Sequence, residues 1–487
     1  MVRVAQDRLM IAAAALLSHA PALGGGFVWL DHAHLEEGLA LARAGDWAGL
    51  FTRGFAGTGY YRPLMSVSLS LDAALGGAPL LYHAITLLWH VAAALMTAVA
   101  GEQLGFSRRA ASGAALLFAV HPLTGLVANA IAFRSEAMLA VLLLGLLVLH
   151  LRRKLVWVCG LLLFAAALTK ETALILGPLL LISLEIPRRD ATAKAAAPWS
   201  LFAAEALGLA CALGLRLSFG PAWRASFLPL TAEQAVGTRL ASVTKSALAV
   251  FFPVDLGVCD AFAITSAWAP TALAGLAVLL SLGYLAYRRR GPALLLVLCC
   301  LPTLQLVPVM RWWSPHYLYL PLLFAAMLVA EAVERWREQA LRWLPPLALA
   351  LGGLSFIDAR RYVSDERLWG QEVRLEPACR EGHYYLGDAA IQAKRLDEAA
   401  HHYTLAITPR AGILSYADQG AALQNLGVVR LQQGRFEEAR EAFTKALQGN
   451  VDETSRRQLL QNLSTADALG RRAAGGSALR VLPEPDR

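Results

Sequence analysis

Long apolar runs constrain this chain more than any other feature of its sequence. Spanning the hydrocarbon core of a bilayer takes roughly 20 apolar helical residues, and the stretches 80–100, 198–218 and 292–310 each come close to or reach that length. Only 16% of the 487 residues are charged and 57% are hydrophobic, with a mean hydropathy of +0.48. An ordinary soluble chain carries about 25% charged residues, so most of this chain belongs in lipid. The formal charge of +8 does not point to nucleic acid, because the arginines fall in short loops between apolar runs rather than on one face. They read as topology signals.

Apolar runs at 9–26, 80–100, 110–132, 136–151, 155–169, 172–186, 198–218, 270–287, 292–310, 317–334 and 344–357 predict about eleven transmembrane helices. The first run follows Arg3 and Arg8 and reads as an uncleaved span rather than a signal peptide, since many spans come after it. Lys/Arg bias in short loops marks the cytoplasmic side. Arg3/Arg8, Arg108/Arg109, Arg152/Arg153/Lys154, Arg188/Arg189/Lys194, Arg288/Arg289/Arg290 and Arg335/Arg337/Arg342 share one side if 240–252 does not cross and is instead interfacial or re-entrant. The N-terminus is then cytoplasmic, with a long first external loop at 27–79 and the C-terminal region outside, as expected of an inner (plasma) membrane protein. Five of the six cysteines lie within or beside apolar runs and only Cys379 lies in the polar tail, so no disulfide framework or metal-binding pair is evident.

After residue 357 the composition turns soluble, and a pattern repeats: Leu386-Gly387, Ala399, Tyr403, Ala406, then Leu426-Gly427, Ala439, Phe443, Ala446. Both sets fit a helix–turn–helix tetratricopeptide repeat in which a small residue lets two helices approach and an aromatic ring fills the space between them. The offset is 40 residues against a usual period of about 34, which places an insertion at 408–419. Residues 364–377 read as a half repeat and 453–469 as a capping helix. The domains expected are therefore a membrane domain at 1–357, a repeat solenoid at 358–470 and a disordered tail at 471–487. Two clear repeats are fewer than the three that usually make a stable stack.

Ionisable residues at membrane depth are functional candidates by default. Toward the outer face lie Asp31, His32 and His34, then Arg62, His83, His90, His121, Arg134, Glu136, Lys170, Glu171 and His316. A carboxylate in this set can act as a base, and its cations can hold phosphate. Each residue also has a structural reading. Asp31 suits a solvated loop; His83 and His90 suit helix packing; Arg134 with Glu136, and Lys170 with Glu171, suit loop or helix-end fixation. His83 and His90 lie seven residues apart rather than four, which does not make a two-histidine metal pair. Whether a divalent metal helps bind phosphate is left open by the sequence, which offers no support for one.

The order of short motifs resembles the transmembrane and tetratricopeptide-repeat O-mannosyltransferases and their bacterial relatives in the glycosyltransferase C superfamily. The stretches are Phe27-Val28-Trp29-Leu30-Asp31-His32, Tyr61-Arg62-Pro63-Leu64, Tyr82-His83 with His90, Leu117-Phe118-Ala119-Val120-His121-Pro122, Phe133-Arg134-Ser135-Glu136, Thr169-Lys170-Glu171-Thr172 and Tyr317-Leu318-Tyr319-Leu320-Pro321. The resemblance implies an all-α bundle and a sugar on a polyprenyl phosphate as donor. It also implies Asp31 as the base, Arg62, Arg134 and Lys170 at the donor phosphate, and His32, His83, His121, Glu136, Glu171, His316 and Tyr317 in support. Two departures stand out. Leu30 occupies the place of a first acid, and Pro315-His316 replaces a Glu-Arg pair.

Two functions follow as expectations. The first is inverting transfer of a hexose, mannose by the resemblance, to a protein or envelope-glycan hydroxyl held by the repeats. The second is a catalytically degenerate, membrane-anchored scaffold whose repeats bind envelope proteins. A transporter fits less well, because the ionisable residues gather at one face rather than near the midplane.

Overall fold

The computed structural model describes residues 2–55, 59–186, 199–220, 230–254, 256–289, 291–305, 311–336, 342–449 and 453–478. Arg188, Arg189, Lys194, Arg290 and Arg337 of the topology signals lie outside these residues, as does the tail beyond Ala478. The chain forms two units, one of residues 1–258 and 264–364, the other of 259–263 and 365–487. Among the described residues the structure is almost wholly helical, apart from one short antiparallel strand pair, Phe262–Ala263 against Ile413–Leu414.

Each apolar run of the first unit is mainly helical over its described residues; residue 198 of the run 198–218 and residues 306–310 of the run 292–310 lie outside them. Among the described residues, five helices are long and apolar enough to cross a membrane: Pro79–Gln103, Ile131–Arg152, Trp199–Phe219, Pro270–Arg289 and Pro315–Trp336. Arg108–Val120 and Pro122–Asn129 make a sixth if they form one span broken by a 57° bend. The break follows from Pro122, which has no N–H to continue the helix. His121 takes over the capping: its Nδ1 accepts from the Leu123 amide at 3.2 Å, which leaves Nε2–H to donate to the Val250 carbonyl at 3.0 Å. Residues 240–251 fall within the helix Ala232–Phe251, with Phe252 as its C-cap; the helix opens on a reciprocal cap between Thr231 and Gln234 and is absent from the apolar spans.

Without a hydrophobic drive between helices in lipid, small residues set the close crossings. A Cβ on Gly208 would lie 2.1 Å from the Gly160 carbonyl oxygen, and one on Gly160 would lie 2.3 Å from that of Ala204. Val156–Thr169 and Trp199–Phe219 therefore meet backbone to backbone. A buried polar knot ties neighbouring helices together: His150 reaches Glu205 at 2.7 Å and Glu185 at 2.9 Å, and Arg153 pairs with Glu185 at 2.6 Å.

The second unit has the expected repeat geometry. Arg380–Gln392 packs on Leu396–Ile407, and Gln419–Gln432 on Phe436–Leu447. Tyr403 fills the space over Gly387, and Phe443 the space over Gly427: a Cβ at either glycine would come within 2.5–2.9 Å of ring carbons. Asp365–Leu375 is a helix packed on Arg380–Gln392, and the closing helix Glu453–Ala478 runs past the residue-470 boundary. The insertion at 408–419 carries the strand that pairs with Phe262–Ala263.

One expectation needs correction: Cys259 and Cys379 form a disulfide, with Cα atoms 5.9 Å apart and 120 residues between them. Both lie in the second unit, where segment 259–263 completes the short solenoid. The Cys259 amide donates to Glu372 at 2.9 Å, and Asp260 accepts from the Tyr416 amide at 3.0 Å. The closeness of Phe443 to Gly427 yields a direct prediction. Gly427→Ala forces the ring aside and destabilises the repeats by ~1–3 kcal/mol, read as earlier proteolysis of the C-terminal unit on heating; unchanged protease resistance would contradict this packing account.

Candidate functional site

The site is built around the turn that follows Gly25-Gly26. Trp29 adopts φ +57°, a left-handed conformation unusual for a bulky residue. Such a residue stores ~1–3 kcal/mol of strain, which the surroundings must offset. Trp29 is only 1% exposed, its ring lies 5.0 Å from Phe133, and the Arg311 guanidinium stands 4.9 Å above it. The next helix, Asp31–Ala44, begins with a fully buried Asp31 carboxylate. Its two oxygens accept from the Val28 amide at 3.2 Å and the Ala132 amide at 2.7 Å.

Ala132 leads into Phe133 and Arg134, so Asp31 is tied directly to the start of the following span. Arg134 is fully buried and its donors are engaged by protein groups. Nε reaches Thr86 at 3.0 Å, Nη2 the Tyr82 carbonyl at 2.8 Å, and Nη1 both Ser68 at 2.8 Å and Asp72 at 2.6 Å. Its carboxylate partner is thus Asp72 rather than Glu136. Asp72, Ser68 and Thr86 were not singled out from sequence, although an acid in an apolar helix was a usable signal.

Glu136 instead pairs with Lys170, and His316 Nε2 stands 3.9 Å from the same carboxylate oxygen. Glu171 likewise pairs away from its sequence neighbour. Arg62 grips it with two hydrogen bonds of 2.9 and 2.5 Å, while the Arg62 guanidinium lies 4.3 Å over the Tyr60 ring. His316 feels the charges of Lys170, Arg311 and Arg62, and Arg62 feels Glu136, which places both ion pairs in one neighbourhood. The Phe133 ring, 4.7 Å from His316 and 5.0 Å from Trp29, joins this cluster to the Asp31 turn.

The supporting residues divide. His83 Nε2 lies 3.0 Å from the Gly26 carbonyl and holds the turn; the Tyr317 hydroxyl donates to the Arg311 carbonyl at 3.0 Å. His32 is exposed, and His121 serves the helix break. His34 is buried, with Nδ1 lacking a hydrogen-bond partner. Burial, then the charges of Arg62 and Arg311, pull its pKa down to about 3, so it is neutral at physiological pH. Among the described residues no group of three or more His, Cys, Asp or Glu is arranged to hold a metal. An apolar cleft of about 460 Å³, lined by Met10, Leu17, Leu116, Val120 and Phe356 among others, includes none of these charged groups.

The Arg62–Glu171 pair has a definite linkage. Burial alone would raise Glu171, but Arg62 outweighs it and holds the carboxyl below its ordinary value; burial opposes and Glu171 raises Arg62. The stabilisation is therefore complete above the unfolded pKa near ~4.3 and is lost as pH falls through the lower folded value. Glu171→Gln leaves a buried, unpaired guanidinium and should cost ~3–5 kcal/mol, seen as a lower thermal midpoint of the detergent-solubilised chain at neutral pH. An unchanged midpoint would show that the pair contributes nothing to stability.

Residues 420–448 match the tetratricopeptide repeat family. No curated protein matches the chain. Among solved structures, the crystal structure of ArnT from Cupriavidus metallidurans bound to undecaprenyl phosphate is similar at 14% sequence identity and a TM-score of 0.39, covering 98% of this chain and 81% of that one.

Proposed function

We propose that this chain is a membrane glycosyltransferase that moves a hexose from a polyprenyl-phosphate donor to a hydroxyl of a protein or envelope glycan at the extracytoplasmic face. The observation that carries this reading is the gathering of Arg62, Lys170, Glu136, Glu171 and His316 in one buried neighbourhood beside the Asp31 turn. The motif order described above supports mannose as the sugar. In the reaction, the acceptor oxygen bonds to the anomeric carbon from the face opposite the phosphate, and the bond from that carbon to the phosphate oxygen breaks. Configuration inverts, the acceptor proton passes to Asp31, and the leaving phosphate takes the bonding electrons. Arg62 and Lys170 offer it positive charge, with Arg134 behind them. Alignment and charge stabilisation supply most of the rate.

To reach the phosphate, Arg62 and Lys170 exchange Glu171 and Glu136 for the incoming anion. The carboxylates thus hold the cations in place while the site is empty. A second reading has its own support. Leu30 supplies no acid, and both Asp31 oxygens bind backbone amides. Those features suit a degenerate enzyme whose repeats act as a scaffold. The deciding experiment is transfer of radiolabelled mannose from polyprenyl-phosphate mannose into envelope material by membranes carrying equal amounts of wild type or Asp31→Asn. Loss of ~100-fold or more in Asp31→Asn is the expected result; equal transfer by both would remove Asp31 from the mechanism, and none by wild type would favour the scaffold.

The proposed topology has about eleven crossings, a cytoplasmic N-terminus and extracytoplasmic repeats. Besides the Lys/Arg bias, the Cys259–Cys379 disulfide supports it, because such bonds persist in oxidising compartments. In intact cells these two thiols should resist maleimide until a reductant is added, and Cys259→Ser should free Cys379. Prompt labelling of both without reductant would place the repeats on the reducing side.

A further inference from the structure

The first repeat holds two imidazoles that the proposed transfer does not use. His383 lies on Arg380–Gln392 and His402 on the facing helix Leu396–Ile407. Their Nδ1 atoms are 3.0 Å apart, and their rings lie 5.3 Å apart at 29°. His383 is only 7% exposed, and its Nε2 is 3.3 Å from the Pro377 carbonyl. A carbonyl oxygen can only accept, so Nε2 carries the hydrogen and Nδ1 of the neutral ring presents a lone pair toward His402. Burial, then the neighbouring His402 and His401, bring His383 down to about 4 against the opposing Pro377 bond. Burial likewise lowers His402.

Two arrangements satisfy this geometry. Either His402 Nδ1–H donates to His383, or both Nδ1 lone pairs converge on one cation. Nitrogen ligands at neighbouring positions on a metal, each at about 2.0–2.1 Å, stand about 2.9–3.4 Å apart, so the pair is already spaced for chelation. The His383 Nε2–H bond to a backbone carbonyl is the outer hydrogen bond that commonly orients metal-bound imidazoles.

We propose that His383 and His402 form a two-nitrogen site for a divalent transition-metal ion of the copper, nickel or zinc class. Nitrogen ligands favour these ions over magnesium and calcium. With two protein ligands the remaining positions are open to water or to a donor on a bound partner, so the site is exchangeable rather than a closed structural centre. His401 has an exposed side chain and a ring 5.6 Å from that of His402, which makes it a control for surface binding.

The test uses the full chain in detergent, without a polyhistidine tag and stripped with a chelator, titrated with Cu²⁺ alone. Binding is followed by visible absorption and by nitrogen splitting in the paramagnetic resonance spectrum. Wild type should bind one ion with two-nitrogen splitting, and His383→Gln and His402→Gln should each weaken binding by ~10-fold or more, while His401→Gln leaves it unchanged. Because buried His383 also supports the repeat, helical content is measured in parallel, and the half-buried His402 variant decides the matter. No saturable binding by wild type, or equal binding by wild type and His402→Gln, would overturn the proposal and leave a simple imidazole–imidazole hydrogen bond.

Discussion

A charge removed from water must meet an opposite charge or a full set of hydrogen bonds, and that requirement organises the membrane unit of this protein. Breaking one partner of a buried pair costs ~3–5 kcal/mol, so each ionisable side chain in the unit constrains the segments around it. Arg62 and Glu171 join the first loop to the turn before Ala173–Glu185. Lys170 and Glu136 join that turn to the helix Arg134–Arg152. Arg134 ties the same helix to Pro63–Ala74 and Pro79–Gln103 through Asp72, Ser68, Thr86 and Tyr82. The apolar runs put these helices in lipid, and the ion pairs decide which of them are neighbours.

The same pairing gives the proposed chemistry its physical form. Carboxylates hold two cations beside a strained turn whose acid is itself fastened by backbone amides. An anionic headgroup can take a carboxylate's place at a cation without leaving that cation unpaired, while the displaced carboxylate stays in the site and must take a proton or another hydrogen-bond donor as the headgroup adds its negative charge. The positive φ at Trp29 and the packing of Phe133 between Trp29 and His316 make the Asp31 turn and the charged cluster parts of one packed assembly.

What was legible in the sequence was what is local. Helical spans follow from runs of apolar residues, and the repeats from small and aromatic residues at fixed offsets; Gly387 under Tyr403 and Gly427 under Phe443 realise that pattern directly. Most of the candidate site residues could be named from their order along the chain. Their partners could not, because Arg62 and Glu171 are 109 residues apart and Asp31 reaches an amide 101 residues away. Adjacent charges such as Lys170 and Glu171 looked like partners and proved to point to different ones. The Cys259–Cys379 bond was hidden for the same reason: one cysteine sits beside an apolar run and the other in the tail.

The central claim is that the paired cations receive a polyprenyl phosphate, and its most direct measurement is saturable binding of that lipid to the purified chain. The protein to compare with wild type carries Arg62→Gln together with Glu171→Gln, which removes a whole ion pair and leaves no orphan charge. Wild type should be stabilised against heat by polyprenyl phosphate but not by the uncharged polyprenol, and the double variant should lose most of that stabilisation. Equal stabilisation of both proteins, or of wild type by phosphate and alcohol alike, would contradict the account.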